Sequence, residues 1–510
     1  LAGALATQYQ AAHRNTRPGG EADALAVQAR LSLRGAARRA KTLGATAQAQ
    51  ELYEAALELA SDQVDEAELL TAAAEVAVMA GHTPVAQEEY RRAIAIYREL
   101  GDRSAAARAS AGLVDATLHD GWQREKARTI AREAAREYED LGDDEGLARL
   151  LGQLARLEML IQDDFDVAIA VADRTLAMAE RVDVPEIVAD ALITRGTCLG
   201  SIGRSLEGIG AIEAGRRLAH EEGLAYTEGR ALINVSGPMS ERDPKAYLEA
   251  SLAALEISRR IGSRAGMSMA LNNLASSAEI TGDWDLALDE LRAEADTDSA
   301  DDRVRIQMAT TYLLSDRGDD VTQLVASVRE YFDSASDEAS DFEGFYLGSL
   351  ALPAGRYREA LERLTKGAAE DPFNATAGYS LASVAALLLR DVEAAKIALA
   401  GLESTGSHGR MVKLDKRRTR AGIDALDDRV DDALAGFRTV LDEYRRLDLP
   451  PMVAQTCLVM CVVLDRSLPE VVAAEAEARA IYEALGAQAW LDRLDDALAR
   501  EATPTEAATA

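Results

Sequence analysis

The sequence predicts an all-α solenoid, a stack of helix pairs in which one unit recurs along the chain. Two observations carry this: a spacing of small residues and a composition suited to closely packed helices. The clearest unit is AGHTPVAQEEYRRAIAIYRELGD at Ala80–Asp102. Its second helix carries Ala86, Tyr90, Ala93, Tyr97 and Leu100 on one face, at the spacing of an amphipathic helix. Gly101 stands where a helix end favours a residue tolerant of positive φ. With Ala86 as marker, small residues recur at Ala49, Ala127, Ala168, Gly208, Ala246, Ala287, Ala360, Ala395 and Ala433. Further small residues stand seven after several markers (Ala56, Ala93, Ala134, Gly215) and twelve before them (Ala37, Ala74, Gly196, Ala275, Gly348, Ser383, Ala421). Three small positions per unit let two antiparallel helices approach closely. A period of about 34–41 residues with this content marks an α-solenoid of about 11–12 helix pairs.

Composition agrees. The 510 residues are 48% hydrophobic but only 5% aromatic, so Ala-rich helices supply the core. Only 11 Pro and 36 Gly interrupt them. The net charge of −31 opposes direct binding of nucleic acid or an anionic membrane. Of 56 basic residues seven are Lys, leaving 49 Arg (56 − 7), a bias that coding composition explains without invoking function. Three cysteines, Cys198, Cys457 and Cys461, form no disulfide framework. No signal-peptide pattern opens the chain, and no apolar run approaches the roughly 20 residues of a bilayer span. A cytoplasmic location is expected. The start at Leu1, without Met, suits a piece of something longer.

In order, residues 1–44 read as connecting helices broken at Pro18-Gly19-Gly20, and residues 45–333 as a first solenoid block. The stretch DSASDEASD at Asp333–Asp341 follows a degenerate unit with Gln323 at the marker position. It places a polar hinge at 334–340. A second block fills 341–486, and 487–510 supplies a capping helix and a disordered tail.

Two units, AGRYREALERLTKGAAEDP at Ala354–Pro372 and TGDWDLALDEL at Thr281–Leu291, carry a Gly-x-aromatic turn and the helix-two Ala. On these motifs the chain resembles tetratricopeptide (TPR) repeat proteins over about residues 45–486. Several units run long and end in a Leu-Gly signature: IYRELGD at Ile96–Asp102, EYEDLGD at Glu137–Asp143, IYEALGA at Ile481–Ala487, with EYRRLDL at Glu443–Leu449 as a variant. This longer type is similar to the TPR regions of large bacterial signalling ATPases, including transcriptional activators and class III nucleotidyl cyclases. The opening LAGALATQYQAAH and EADALAVQARLSLRGAARRAKTLGA look like the helices after the ATPase in such proteins. The resemblance implies a right-handed superhelix and a protein-binding scaffold. The sequence has no Gly-rich phosphate loop with its Lys, no cyclase segment and no helix-turn-helix domain, so only the scaffold role carries over.

In TPR solenoids the first helices line the inner, concave surface. Here they carry Asn234, Asn272, Asn273, Gln307, Tyr312, Tyr346 and Tyr379, and Asn side chains can clamp an extended peptide through paired hydrogen bonds. An ordinary polar lining accounts for the same residues. Arg410, Lys413, Lys416, Arg417, Arg418 and Arg420 form the one basic run, either an anionic-partner patch or a solvated face balancing nearby acids. Cys457 and Cys461, one turn apart, lack the two further ligands a metal needs and read as small buried hydrophobes. The histidines His13, His82, His119, His220 and His408 are scattered, and His220–Gly223 lacks the second His of a zinc-protease motif. The glycines of Gly200–Gly210 have no preceding strand and fit repeat turns better than a nucleotide loop.

Nothing supplies a nucleophile–base pair or a metal cluster, so no enzyme, no metal and no cofactor are expected. The function predicted is a protein–protein interaction and regulatory scaffold with a protein or peptide partner. An attached or partner ATPase or cyclase is one setting, a stand-alone peptide-binding adaptor the other.

Overall fold

A computed structural model describes residues 2–121, 123–162, 164–295, 307–308, 310–311, 314, 321–334 and 340–499. Among them are 25 α-helices, one short 3₁₀ turn and no strand. The expected hinge falls largely outside the described residues, at 335–339, as does the expected tail at 500–510. The chain divides into two compact units, Leu1–Cys198 with Ala214–Thr227, and Leu199–Glu213 with Glu228–Ala510. This division lies inside the expected first block.

Unit 1 is built of consecutive antiparallel pairs. Gly20–Thr42 pairs with Thr46–Leu57, Gln63–Met79 with Thr83–Leu100, Arg103–Leu118 with Arg124–Glu137, and Glu145–Ile161 with Phe165–Arg181. The N-terminal residues expected as connectors pack into this array: Ala6, Leu33, Ala37, Ala49, Tyr53 and Val76 share one core cluster. Unit 2 continues with Arg264–Thr281 and Trp284–Ala295, then Val321–Ser334, Ser340–Ala351 with Tyr357–Glu370, and Ala375–Leu388 with Val392–Ser404. Arg410–Leu426 with Val430–Arg446 and Pro450–Val463 with Pro469–Leu485 complete it. Gln488–Ala499 closes the open face of the last pair with Trp490 and Leu494, both buried.

Sequence spacing becomes packing directly. Nine of the ten markers are buried, as are all the small residues noted seven after and twelve before them. The exception is Ala246. In helix Pro244–Ile261 the buried positions include Pro244, Tyr247, Ser251, Ala254 and Ser258, so Tyr247 rather than Ala246 faces the core. Close approach is real elsewhere: a Cβ on Gly112 would overlap the ring of Tyr90 on the preceding helix.

At Leu100-Gly101-Asp102 the signature ends one helix and starts the next. Gly101 adopts φ 76° and returns its N–H to Arg98, while Asp102 N–H bonds Tyr97 O at 2.9 Å. The Asp102 carboxylate then accepts from Ala105 N at 3.0 Å, capping helix Arg103–Leu118. Asp62, Asp144, Asp243 and Asp391 cap their helices in the same way.

The abundant arginine has a structural use. Arg98 pairs with Glu137 at 2.5 Å, Arg103 with Asp140 at 2.6 Å, Arg181 with Asp143 at 2.6 Å and Arg445 with Glu477 at 2.6 Å. These partners lie 39, 37, 38 and 32 residues apart, about one repeat. Exposed pairs add little energy singly, but each fits only one register between neighbouring repeats. Gly35, exposed in the middle of helix Gly20–Thr42, has nothing within 4 Å of where a Cβ would sit. Gly35→Ala is expected to stabilise the chain by roughly 0.5–1 kcal/mol in denaturant unfolding, through lost backbone freedom in the unfolded state.

Unit 2 returns on itself through contacts between residues far apart in sequence. Met411 N–H donates to Glu241 O at 2.9 Å, and Ser407 Oγ, 166 residues on from Glu241, donates to Glu241 Oε1 at 2.6 Å. Lys245 meets Asp448 at 2.7 Å across 203 residues. Helix Pro450–Val463 packs against helix Arg264–Thr281.

Candidate functional site

The first helices of unit 2 bring four of the seven predicted groove residues into side-chain hydrogen bonds. Asn272, half-buried in helix Arg264–Thr281, accepts at its Oδ1 from Gln307 Nε2 at 2.7 Å and from the Tyr346 hydroxyl at 2.7 Å. Gln307 is 3% exposed, so its amide is spent inside this cluster. Tyr346 comes from helix Ser340–Ala351, which puts side chains 74 residues apart in contact.

Asn273 faces elsewhere. Its Nδ2 donates to Ile233 O at 3.1 Å, joining helix Arg264–Thr281 to helix Ala225–Ser240 one repeat earlier. Pro238 inside that earlier helix has no N–H to give to Asn234 O, four residues back; Ile233 O, which takes the side-chain donor, is one residue further back. Asn273 therefore sits at a repeat junction. With the Asn272 oxygen already accepting twice and Asn273 tied to the neighbouring repeat, the paired-Asn peptide clamp is corrected: Asn272 has no open acceptor, and Asn273 is engaged at a repeat junction. Asn234 is half-buried with no hydrogen bond among the described residues. Tyr379 packs its ring where a Cβ on Gly401 would stand, between two helices. Tyr312 lies outside the described residues.

Two turns from Asn272 on the same helix lies Glu279, with Ser276 between them; positions 272, 276 and 279 share one face. Burial pushes the Glu279 carboxyl up to about 8. Burial also raises the phenol of Tyr247, which lies beside Ser276, and the nearby Glu279 and Tyr346 raise it further.

The basic run of helix Arg410–Leu426 does not form one patch. Arg418 is 1% exposed and faces inward. It meets Asp415 at 3.2 Å, donates to Gln455 Oε1 at 2.9 Å and approaches Ser380 Oγ at 3.5 Å, while its Nε has no partner. Asp415 in turn accepts from Tyr444 OH at 2.8 Å and Ser380 Oγ at 2.7 Å. Thus three successive first helices and one second helix share a buried polar network. Arg420 pairs with Glu403, Arg410 lies 3.8 Å from Glu443, and Lys416 donates to Ser407 O at 3.0 Å, its pKa lowered by burial. Lys413 and Arg417 remain exposed.

Cys457 and Cys461 are buried thiols, as is Cys198. Burial pushes Cys461 up to about 12 and Cys457 higher still, where neither thiol offers a thiolate near neutral pH. Among the described residues no three His, Cys, Asp or Glu side chains are placed to hold a metal, and no helix is long and apolar enough to cross a membrane.

Consecutive two-helix units with buried small residues at most crossings define a TPR-like helical-repeat solenoid. No family model matches the chain, and no curated protein matches it by sequence. Among solved structures it is similar to a Rap protein complexed with competence and sporulation factor, at 14% identity and TM-score 0.42, over 72% of this chain and 93% of that one. It is also similar to a signal transduction ATPase with numerous domains, with a tetratricopeptide repeat sensor, from Pyrococcus horikoshii. That match has 15% identity and TM-score 0.41, over 62% of this chain and 50% of that one. Yeast Tom70 matches at 15% identity and TM-score 0.36, over 89% of this chain and 96% of that one.

Proposed function

We propose that the chain is a protein–protein interaction scaffold, and that it serves as the regulatory arm of a larger bacterial signalling ATPase or cyclase. The scaffold reading is supported by the stacked helix pairs, and its proposed contact strip is the cluster of Asn272, Gln307 and Tyr346, side chains up to 74 residues apart of which Asn272 and Tyr346 are partly exposed. The regulatory setting rests on the Leu-Gly type of repeat alone, and a stand-alone peptide-binding adaptor is the second reading.

A photo-crosslinking side chain placed at Tyr346 tests the scaffold, with the same group at the exposed Ile397 as the outer-face control. A polypeptide captured at 346 and not at 397 supports it. Crosslinks at 397 alone, or none at either, overturn it. The coding sequence upstream of Leu1 separates the two settings: a phosphate-loop ATPase there supports the regulatory arm, and its absence supports the adaptor.

A further inference from the structure

Helix Gly20–Thr42 buries one face and leaves the opposite one bare of charge through its middle. Its buried positions are Ala22, Ala29, Leu33, Ala36, Ala37 and Ala40. Between positions 24 and 35 the exposed residues are Ala24, Val27, Gln28, Leu31 and Gly35, with Val27 38% and Leu31 54% exposed. Ala24, Val27, Leu31 and Gly35 step by three and four, so they share one face. The arginines of this stretch leave it: Arg30 meets Asp65 at 2.8 Å and Arg34 meets Glu68 at 2.6 Å, both acids lying on helix Gln63–Met79. Helix Arg124–Glu137 of the same unit shows the solvated pattern instead, with Glu125, Lys126, Thr129, Glu133 and Arg136 exposed.

Charge brackets the apolar stripe. Glu21 and Asp23 are exposed at its start, Arg38 and Arg39 at its end, and none of the four lies in an ion pair among the described residues. These signs suit the helix dipole, which does not account for the apolar middle. We propose that this face pairs with the same face of a second copy of the chain, as two antiparallel helices with the two-fold axis at Leu31. The face is complementary to itself in that arrangement. Leu31 meets its own counterpart, and Glu21 and Asp23 come opposite Arg39 and Arg38. Val27 comes opposite Gly35, where nothing lies within 4 Å of the place a Cβ would take, so the space is open to a side chain. Parallel pairing would set acid against acid and arginine against arginine, which like-charge repulsion opposes. The occupant is a second copy because each end finds its opposite charge on this same helix. The proposal goes beyond the contact strip of unit 2 and does not rest on it.

The test uses the full chain. Sedimentation velocity between about 1 and 100 µM is expected to show a shift from monomer to dimer. Leu31→Glu should weaken the dimer by about tenfold or more while leaving the urea midpoint unchanged, since position 31 is exposed in the single chain. Glu21→Arg and Arg39→Glu should each weaken it by about tenfold, and the two together should restore it, because the exchanged charges meet again. The three native cysteines are buried, so a short thiol crosslinker reads the geometry. Leu31→Cys is expected to join to itself and Val27→Cys to Gly35→Cys. Val27→Cys alone should not join, its two copies standing about 12 Å apart along the helices. A monomer throughout the range, a dimer indifferent to Leu31→Glu, or a double charge variant no better than the singles overturns the proposal. Val27→Cys joining to itself means a parallel pair and overturns it too. Capture at Tyr346 is a separate readout, so the scaffold reading stands or falls independently.

Discussion

Arg418→Ala will lower the unfolding free energy of unit 2 by about 3–5 kcal/mol, the cost of leaving a buried charge without its partner. In the native chain Asp415 has the guanidinium at 3.2 Å and two neutral donors, Tyr444 and Ser380. Removing Arg418 keeps the two neutral donors and takes away the only cation shown at this carboxylate. Gln455 Oε1 loses its donor as well. Much of the measured loss is therefore the penalty on Asp415 rather than the net worth of the pair. A double variant, Asp415→Asn with Arg418→Met, separates the two: it should lose clearly less than Arg418→Ala alone. Arg417→Glu, on the exposed side of the same helix, should stay within about 0.5 kcal/mol. Urea unfolding followed by hydrogen exchange in residues 410–426 measures all three. A loss below 1 kcal/mol for Arg418→Ala would mean that water reaches Asp415 easily. The same geometry limits any trial of the basic run as an anion patch. Charge reversal at Arg418 would report lost folding, so Lys413, Arg417 and Arg420 are the residues to reverse.

Position 418 shows how much the sequence could have told. Met411, Leu414, Arg418, Ala421 and Ala425 are all buried and step along the helix by three and four, the same spacing that identifies Ala86, Tyr90, Ala93 and Tyr97. Charge made Arg418 look like surface, but its place on the apolar stripe marked it as core. The helix pairs were legible because each unit packs against its immediate neighbours, and nearest-neighbour packing leaves a periodic trace. The Leu-Gly ends were legible as stops; the second use of Asp102, as the next helix's cap, follows from the same three letters, whereas after Leu141-Gly142 the cap is Asp144. Asn273 was not legible, since its acceptor, Ile233 O, lies on a helix 40 residues earlier. Neither was the return of unit 2 on itself. Contacts such as Glu241–Ser407 and Lys245–Asp448 join residues 166 and 203 apart, with no period to betray them.

Gly409→Ala and Gly203→Ala will each open that return while leaving the repeats folded. A Cβ on Gly409 would overlap the Glu241 carbonyl oxygen, and one on Gly203 would overlap the Gly406 carbonyl. Both clashes are with backbone, which a rotamer change cannot relieve. Gly203 also holds φ +81°, a left-handed conformation that costs a residue with a Cβ about 1–2 kcal/mol. The Met411 amide is the local reporter. It lies in the first turn of helix Arg410–Leu426, where no intrahelical carbonyl is available to it, and Glu241 O supplies its acceptor at 2.9 Å. Its protection against hydrogen exchange therefore depends on the closure. The expected result is exchange at Met411 faster by about tenfold or more in each variant, the equivalent of roughly 1.4 kcal/mol of local opening. Amides further along the same helix, such as Ile423, should change little, because neighbour-to-neighbour packing holds each pair without help from distant repeats. If Met411 stays protected, the contact between the 404–410 loop and Glu241 is not what closes unit 2. If Ile423 loses protection equally, closure and repeat folding are one cooperative event, and the array behaves as a globular domain rather than as a chain of independent pairs.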